Sequence, residues 1–158
     1  IIDLPPGTGD APLTIAQTIP ITGILIVTTP QDVAMNVAVK AIGMFNKLNV
    51  PIVGVIENMS YLQCPHCNEQ ISVFGKGGGK KISEDFGLPF IGELPLHPGI
   101  RESSDIGKPT VISEPESVQS HAFTKAAKLI AGRISVLAAE IKAQEQSESQ
   151  ATEQAKKE

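Results

Sequence analysis

Residues 1–10 of the chain read Ile-Ile-Asp-Leu-Pro-Pro-Gly-Thr-Gly-Asp, and this stretch decides the predicted fold. Its apolar start predicts a β-strand over residues 1–4, and the prolines and glycines predict a turn before a helix at Ala11. Ligands of parallel α/β sheets bind at the carboxyl ends of strands. Glycine N–H groups and a helix N-terminus suit phosphate, and Asp3 suits a hydrated magnesium ion. Asp-x-Pro alone is better explained by a plain turn, whereas the full stretch is far more specific.

The composition predicts one soluble domain and disfavours several classes of partner. The chain has 158 residues, of which 41% are hydrophobic and 19% charged, so it can bury one substantial core. A net charge of −4, no Trp and one Tyr disfavour general nucleic-acid binding. The apolar runs are strand-sized, which predicts neither a membrane span nor a signal peptide. Because the chain begins inside an apparent strand and without Met, we expect it to be the C-terminal portion of a longer protein.

Strand patterns alternate with helix patterns along the chain, which predicts an α/β fold with a parallel sheet flanked by helices. The continuous β-branched run at 23–29 predicts a strand buried on both faces. The following helix is predicted to bury Val33, Val37, Ala41 and Met44. The predicted strands are 23–29, 51–58 and 90–94, and the predicted helices are 11–19, 30–48, 80–86, 100–104 and 116–140.

The composition changes near residue 140. Residues 143–158 contain Gln, Glu, Ser, Lys, Thr and Ala and no large apolar side chain. We therefore predict a domain over residues 1–140 and a polar tail, solvated or disordered, over residues 141–158.

Cys64 and Cys67 are the two cysteines of the chain, and they flank Pro65 and His66. Two buried small hydrophobes, a thioredoxin-like redox pair and a metal site are the alternatives. Metal is preferred, because the polar run after Cys67 is more typical of a knuckle than of a helix start. Two thiolates are half of the ligand set of zinc or a four-iron cluster. His66 could add a third ligand, although its place between the cysteines favours an exposed polar residue, and a second copy of the chain would supply the missing pair.

Gly75–Lys81 (GKGGGKK) resembles a phosphate-binding loop at first sight. A Walker A motif needs Gly-x-x-x-x-Gly-Lys followed by Ser or Thr, whose hydroxyl binds magnesium. Lys80 is the sixth residue of this segment, where the motif needs glycine, and no Ser or Thr follows Lys81 directly. The segment is therefore predicted to be a flexible, mildly basic loop.

Taken together, these motifs resemble those of the Mrp/ApbC-type iron–sulfur cluster carrier proteins, which belong to the MinD-like P-loop ATPases with a deviant Walker A motif. The resemblance implies the MinD/SIMIBI-like P-loop NTPase fold, here without its N-terminal part. The matching segments follow the family's order and are IDLPPGTGD from Ile2, TTPQ from Thr28, ENMS from Glu57, CPHC from Cys64, FGKGGG from Phe74 and GELPLHPGIR from Gly92.

The resemblance implies a nucleotide site for ATP and Mg²⁺. Asp3 matches the aspartate that holds magnesium through water, and Gly7 matches the segment that senses the γ-phosphate. Asn58 matches the asparagine that reads the adenine edge. The loop that packs against the base corresponds to Pro95, Leu96, His97 and Pro98.

The resemblance also implies a cargo and partners. Cys64 and Cys67 match the pair that bridges a labile 4Fe-4S cluster between the two subunits of a homodimer. Such proteins are cytoplasmic or organellar, and we expect a cytoplasmic one. They receive a cluster through scaffold proteins and pass it to iron–sulfur apoproteins, with ATP hydrolysis modulating the transfer. Neither nucleic acid nor a membrane is expected as a partner.

The sequence departs from the family pattern at three points. The phosphate loop with its signature lysines is absent from residues 1–158. Asn36 stands where relatives often carry an aspartate. His97 replaces an aspartate that is frequent in the proline loop.

Two other functions compete with the iron–sulfur carrier. One is a MinD-like partition or positioning ATPase with a structural zinc knuckle, although the polar tail does not supply the amphipathic membrane helix typical of that class. The other is a non-enzymatic metal-binding interaction module.

The 158-residue chain is predicted to show negligible ATPase activity, although the full-length protein is expected to hydrolyse ATP. Without a phosphate loop, most of the electrostatic stabilisation of phosphoryl transfer is missing. Phosphate release from Mg-ATP by the purified chain tests this. Substantial magnesium-dependent hydrolysis that persists in Asp3→Ala would contradict the prediction.

Overall fold

The computed structural model describes the backbone of residues 1–155 and the side chains of residues 1–144, 146 and 147. Helices and strands alternate along most of this part of the chain, as the sequence predicts. The short helix α5 was not predicted, and the bounds of α1, α2, α3, α4 and β4 lie close to the predicted ones. The elements are α1 (Asp10–Thr18), β1 (Ile24–Thr28), α2 (Asp32–Lys47), β2 (Ile52–Gln63), β3 (Gln70–Ile71), α3 (Gly78–Phe86), β4 (Phe90–Leu96), α4 (Pro98–Asp105), α5 (Thr110–Ser113) and α6 (Val118–Ala155).

Strand β2 is the centre of the sheet. It pairs in parallel with β1 on one edge and with β4 on the other, which agrees with the predicted parallel sheet. Its far end also pairs with β3, and this pair is antiparallel, so the sheet is mixed. Leu62 of β2 pairs with both β3 and β4, and β3 therefore lies on the same edge of β2 as β1.

The core lies on both faces of the sheet. Val55 and Ile56 are neighbours on β2 and so point to opposite faces. Val55 belongs to a cluster with α2 and α3, and Ile56 belongs to a cluster with β4 and α6. The buried members are Ile26, Ala38, Ile42, Ile52, Val55 and Ile82 on the first face, and Ile56, Ile91, Leu94 and Ala126 on the second.

The predicted N-terminal strand is not present. Ile1–Leu4 have no regular secondary structure, and the side chains of Ile1 and Ile2 are exposed. A strand is stable only when its backbone groups pair with a neighbour, and the described sheet contains no such pairing for these residues. Apolar, β-branched composition alone therefore gave the wrong assignment.

The buried face of α2 agrees only in part with the predicted one, because Ala41 packs against the core and Met44 is half-buried. Val33 is 79% exposed and Val37 is exposed as well, whereas Ala38, Ile42 and Phe45 are buried. Both sets recur at helical spacing, so periodicity could not choose between two neighbouring apolar stripes. Val27 of β1 is exposed too, so the predicted burial of this strand on both faces is wrong.

Two elements run further than predicted. Strand β2 continues past Asn58 to Gln63, because β4 and β3 pair with its additional residues. Helix α6 continues to Ala155, so the backbone of the predicted solvated or disordered tail is helical over residues 141–155; residues 156–158 lie outside the described part. Ala, Gln, Glu and Lys are strong helix formers even without a buried face.

The central position of Val55 generates a stability prediction. Its side chain is 0% exposed, so Val55→Ala is expected to lower the free energy of unfolding by about 2 kcal/mol, through lost transfer energy and a cavity. The same substitution at Val33, which is 79% exposed, is the matched control and should change it by less than about 0.5 kcal/mol. Urea unfolding followed by circular dichroism measures both. Equal losses would mean that the two valines are misassigned to core and surface.

Candidate functional site

Both cysteines lie at the tip of a β-hairpin formed by β2 and β3. The chain leaves β2 at Gln63, reverses over Cys64–Asn68 and returns as β3. The Cys64 N–H donates to the Glu69 carbonyl at 2.9 Å, and the Asn68 N–H donates to the Cys64 carbonyl at 2.9 Å. Asn68 has a φ of +60°, a left-handed conformation that Asn tolerates. The reversal is therefore a closed turn and not the start of a helix, as the knuckle interpretation predicts.

The turn prepares Cys64 to act as a thiolate. The backbone N–H of His66 is the main cause that lowers the pKa of the Cys64 thiol, followed by the backbone N–H and then the side chain of Cys67. These donors stabilise the negative sulfur by hydrogen bonding. Cys64 is half-buried and Cys67 is exposed, and neither forms a disulfide. Because the thiolate is the form that binds metal, the hairpin tip suits a metal or a cluster.

A single chain offers an incomplete ligand set at this tip. His66 is exposed. Within the described residues no three side chains of His, Cys, Asp or Glu are grouped so that they could hold one metal ion. The site therefore consists of two thiols per chain.

A cavity joins the cysteine turn to the proline loop. Its volume is about 170 Å³. The parallel register pairs Tyr61 with Pro95 and Leu62 with Leu96, which sets the hairpin beside the end of β4. The structure thus brings Cys64 together with three of the four residues predicted to contact the base. The lining residues are Gln63, Cys64, Pro65, Asn68, Pro95, Leu96, His97, Val118 and Gln119.

His97 caps helix α4. Its Nδ1 accepts a hydrogen bond from the Gly99 N–H at 3.1 Å, and Pro98 occupies the first turn of the helix. An aspartate at an N-cap position accepts the same kind of bond. The imidazole therefore reproduces the capping contact that the family's frequent aspartate is able to make.

Asn58 lies within β2 and is half-buried. Its Oδ1 accepts a hydrogen bond from the Met59 N–H at 3.0 Å, and Met59 has a φ of +56°. The amide orientation is thereby set, because the Oδ1 must face the backbone. The Nδ2 group is then directed away from that N–H and is able to donate to a ligand.

Asp3 and Gly7 lie apart from this cavity. Asp3 is exposed in the irregular N-terminal segment, and Gly7 adopts a φ of +93° in the bend before α1. Neither residue lines the cavity that contains Cys64. The left-handed conformation at Gly7 agrees with the predicted glycine turn, because other residues rarely adopt it.

Sequence reasoning missed a buried carboxylate in the middle of β2. Glu57 is fully buried, and its Oε1 accepts hydrogen bonds from the Ser60 hydroxyl at 2.5 Å and the Gly77 N–H at 3.1 Å. Its Oε2 accepts one from the Gly79 N–H at 2.7 Å. Gly75–Lys81 is therefore no flexible loop: its glycines wrap an internal carboxylate and begin α3. An acidic residue at the end of a buried apolar run was the available signal, since a buried charge needs partners.

Residue 79 must be glycine because the start of α3 lies very close to Glu57 of β2. A Cβ there would lie 2.9 Å from the Glu57 Cβ and 3.3 Å from the Glu57 Cα. Helix α3 thus begins directly against the backbone of β2.

A comparison with protein families identifies the chain. The family model described as ParA, NUBPL iron-transfer P-loop NTPase, matches residues 1–131. The chain belongs to this family. The predicted resemblance to the iron–sulfur carriers among the P-loop NTPases is thereby confirmed.

Two relatives of known description show how much of the family's length the chain represents. It is 47% identical over 137 residues to the iron–sulfur cluster transfer protein NUBPL of Dictyostelium discoideum, with 87% of this chain and 42% of the relative covered. It is 48% identical over 136 residues to the iron–sulfur cluster carrier protein of Deinococcus radiodurans, with 86% and 38% covered. The chain therefore spans about two fifths of the length of these relatives.

Solved structures show the same fold. A nucleotide-binding protein from Archaeoglobus fulgidus in complex with ADP superposes with a TM-score of 0.62 at 38% identity, over 72% of this chain and 46% of that one. The cell division ATPase MinD of Pyrococcus furiosus gives a TM-score of 0.52 at 26% identity, over 68% and 41%. The predicted MinD-like P-loop NTPase fold is confirmed.

The lowered pKa of Cys64 generates a pH prediction. The folded turn stabilises the thiolate, so this contribution to stability is present above the pKa of the unfolded thiol and is lost as pH falls through the lower folded pKa. In Cys67→Ser, whose hydroxyl retains a donor, the rate of Cys64 alkylation by iodoacetamide should therefore reach half its plateau at a lower pH than in the same variant unfolded in urea. Coincident pH profiles would show that the turn does not stabilise the thiolate.

Proposed function

We propose that the chain carries an iron–sulfur cluster as cargo, held by Cys64 and Cys67, and passes it to recipient apoproteins. The observation that carries this proposal is the closed turn at the hairpin tip, which places Cys64 and Cys67 together at the protein surface. The lowered pKa of the Cys64 thiol supports it. A cargo must also be accessible to a recipient, and Cys67 is exposed. The family membership and the printed roles of both relatives support the same function.

The ligand count favours a cluster shared between two copies of the chain. A 4Fe-4S cluster usually takes four thiolates, and one chain contains two cysteines. A two-fold axis through the cluster would supply the second pair from an identical hairpin. The carrier is accordingly a homodimer in this proposal.

Exposed apolar side chains beside the hairpin support such an interface. Ile71 of β3 and the following Val73 are each 47% exposed, and Phe74 is 36% exposed. Contact with a second hairpin would remove this apolar surface from water, which stabilises association. The same surface would be uncovered when a recipient protein replaces one subunit.

The proposed carrier uses ATP and Mg²⁺, and this chain contributes one side of the nucleotide site. Asn58 fits a base contact, because its Nδ2 is able to donate to an adenine ring nitrogen while Oδ1 is held by Met59. Pro95 to Pro98 would form the apolar side of the base pocket, and Asp3 would hold magnesium through water, with Gly7 at the γ-phosphate. The loop that binds the other phosphates is absent from residues 1–158. The A. fulgidus neighbour, which is in complex with ADP, supports a nucleotide site in this fold.

Scaffold proteins that donate the cluster and apoproteins that receive it are the partners in this proposal, and the cytoplasm is the proposed compartment. In the part of the chain that the structure describes, no helix combines the length and the apolar character needed to cross a membrane.

Reconstituted protein is predicted to hold about one 4Fe-4S cluster per dimer. Each Cys→Ser change should remove two of the four sulfur ligands at once, because the two-fold axis repeats it. Cys64→Ser and Cys67→Ser should both lose nearly all bound iron and fail to activate an apoprotein. The measurement is iron and sulfide content against oligomeric mass under anaerobic conditions, together with the visible absorption near 400 nm that a cluster gives and zinc does not.

His66→Ala is the matched control within the same turn, because this exposed residue lies between the cysteines and its removal should leave the cluster in place. A stable cluster on a strict monomer would overturn the bridging arrangement. Zinc retained at one ion per chain, without iron uptake, would favour the partition ATPase with a zinc knuckle or the metal-binding interaction module.

A further inference from the structure

Glu57 and the glycines at 77 and 79 close a long excursion of the chain. Residues 58–76, called the cysteine excursion below, leave the core at Glu57, form the hairpin with Cys64 and Cys67 at its tip, and return at Gly77. The carboxylate of Glu57 binds the N–H groups of both Gly77 and Gly79. The two ends of the excursion are thus fastened to each other by one side chain.

The returning half of the excursion pairs with β2 at Gln70 and Ile71 but is exposed to solvent. Every residue from Pro65 to Lys76 is exposed, and burial resumes at Gly78. The outgoing half, in contrast, is paired with β4 at Tyr61 and Leu62. The Glu57 contact is therefore the first buried attachment that the chain makes after the cysteine turn.

We propose that Glu57 is a positioning residue for the cysteine pair: its buried carboxylate fixes the base of the excursion and thereby the direction in which the hairpin presents Cys64 and Cys67. The contact lies at the N-terminus of α3, where the helix dipole favours a negative charge. A hairpin that must meet an identical copy across a symmetry axis needs a defined direction. This last consequence rests on the proposed function, whereas the positioning itself does not.

A carboxylate is needed here and an amide does not suffice. Oε1 accepts from the Ser60 hydroxyl and Gly77, and Oε2 accepts from Gly79, so both oxygens act as acceptors. Glutamine has the same shape but a single oxygen, and its NH₂ group would face a backbone N–H. Glu57→Gln therefore breaks the contact with Gly77 or Gly79 and leaves an unpaired donor in a buried place.

Glu93→Gln provides the matched control. Glu93 lies opposite Glu57 in the register of β2 and β4, and its side chain is half-buried. Glu93→Gln also replaces a carboxylate with an amide, but it does so on the neighbouring strand and leaves the contact with the glycines intact.

The experiment follows the hairpin itself with a nitroxide label. Cys64→Ser leaves Cys67 as the single, exposed cysteine of the chain, and a methanethiosulfonate spin label is attached to it. In this background Glu57→Gln should shorten the rotational correlation time of the label at least about twofold, since the hairpin gains motion on the nanosecond scale. Glu93→Gln should leave it unchanged. Backbone hydrogen exchange of β1 should stay the same in both variants.

Equal label mobility in the two variants would overturn the proposal. The proposal would also be overturned if β1 lost as much protection from hydrogen exchange as the hairpin, because Glu57 would then stabilise the fold as a whole. If Glu57→Gln does not fold, Ser60→Ala decides, since it removes one donor and keeps the charge. An increase in label mobility that is smaller than the one expected for Glu57→Gln then supports the proposal. No increase in label mobility would overturn it.

Iron loading of the chain with both cysteines separates this inference from the proposed function. Reduced iron content in Glu57→Gln, with normal content in Glu93→Gln, extends the inference to the cluster. If the unmutated protein binds no cluster, the proposed function fails while the label experiment still decides the role of Glu57.

Discussion

The backbone pairing of β2 is the constraint on which the rest of the structure depends. Its first half is fixed between β1 and β4 and carries Val55 and Ile56 into the two faces of the core. Its second half leaves the core but stays paired with β4 and then β3. One strand therefore connects the most buried part of the protein to the exposed cysteine turn.

The fold was predictable where local pattern and tertiary environment agree. The polar run after Cys67 indicated a knuckle and not a helix start, and Pro and Gly marked most helix ends correctly. Prediction failed where a second element decides the outcome. Residues 1–4 have strand composition but no described partner, and α2 offers two apolar stripes of which neighbours select one. Glu57 was missed for the same reason, because its donors lie about twenty residues away in sequence.

The site consists of two halves that the sequence separates and the sheet brings together. Cys64 and the proline loop lie more than thirty residues apart in the chain, yet the pairing of β2 with β4 makes them walls of one cavity. If these two walls hold the cluster and the base as proposed, a change at one lies directly beside the other. The sequence motifs named both segments, but their adjacency follows from the register of β2 and β4.

The cap of α4 changes the electrostatics of that cavity. Because the Nδ1 of His97 accepts the Gly99 N–H, the neutral ring carries its proton on Nε2. An aspartate in this place would add a negative charge to the cavity that Cys64 also lines, and this charge would disfavour the thiolate form of Cys64. The imidazole keeps the helix cap and instead brings a hydrogen-bond donor to the wall that it shares with Cys64. In this chain, therefore, the residue that caps α4 adds no negative charge to the cavity that Cys64 lines.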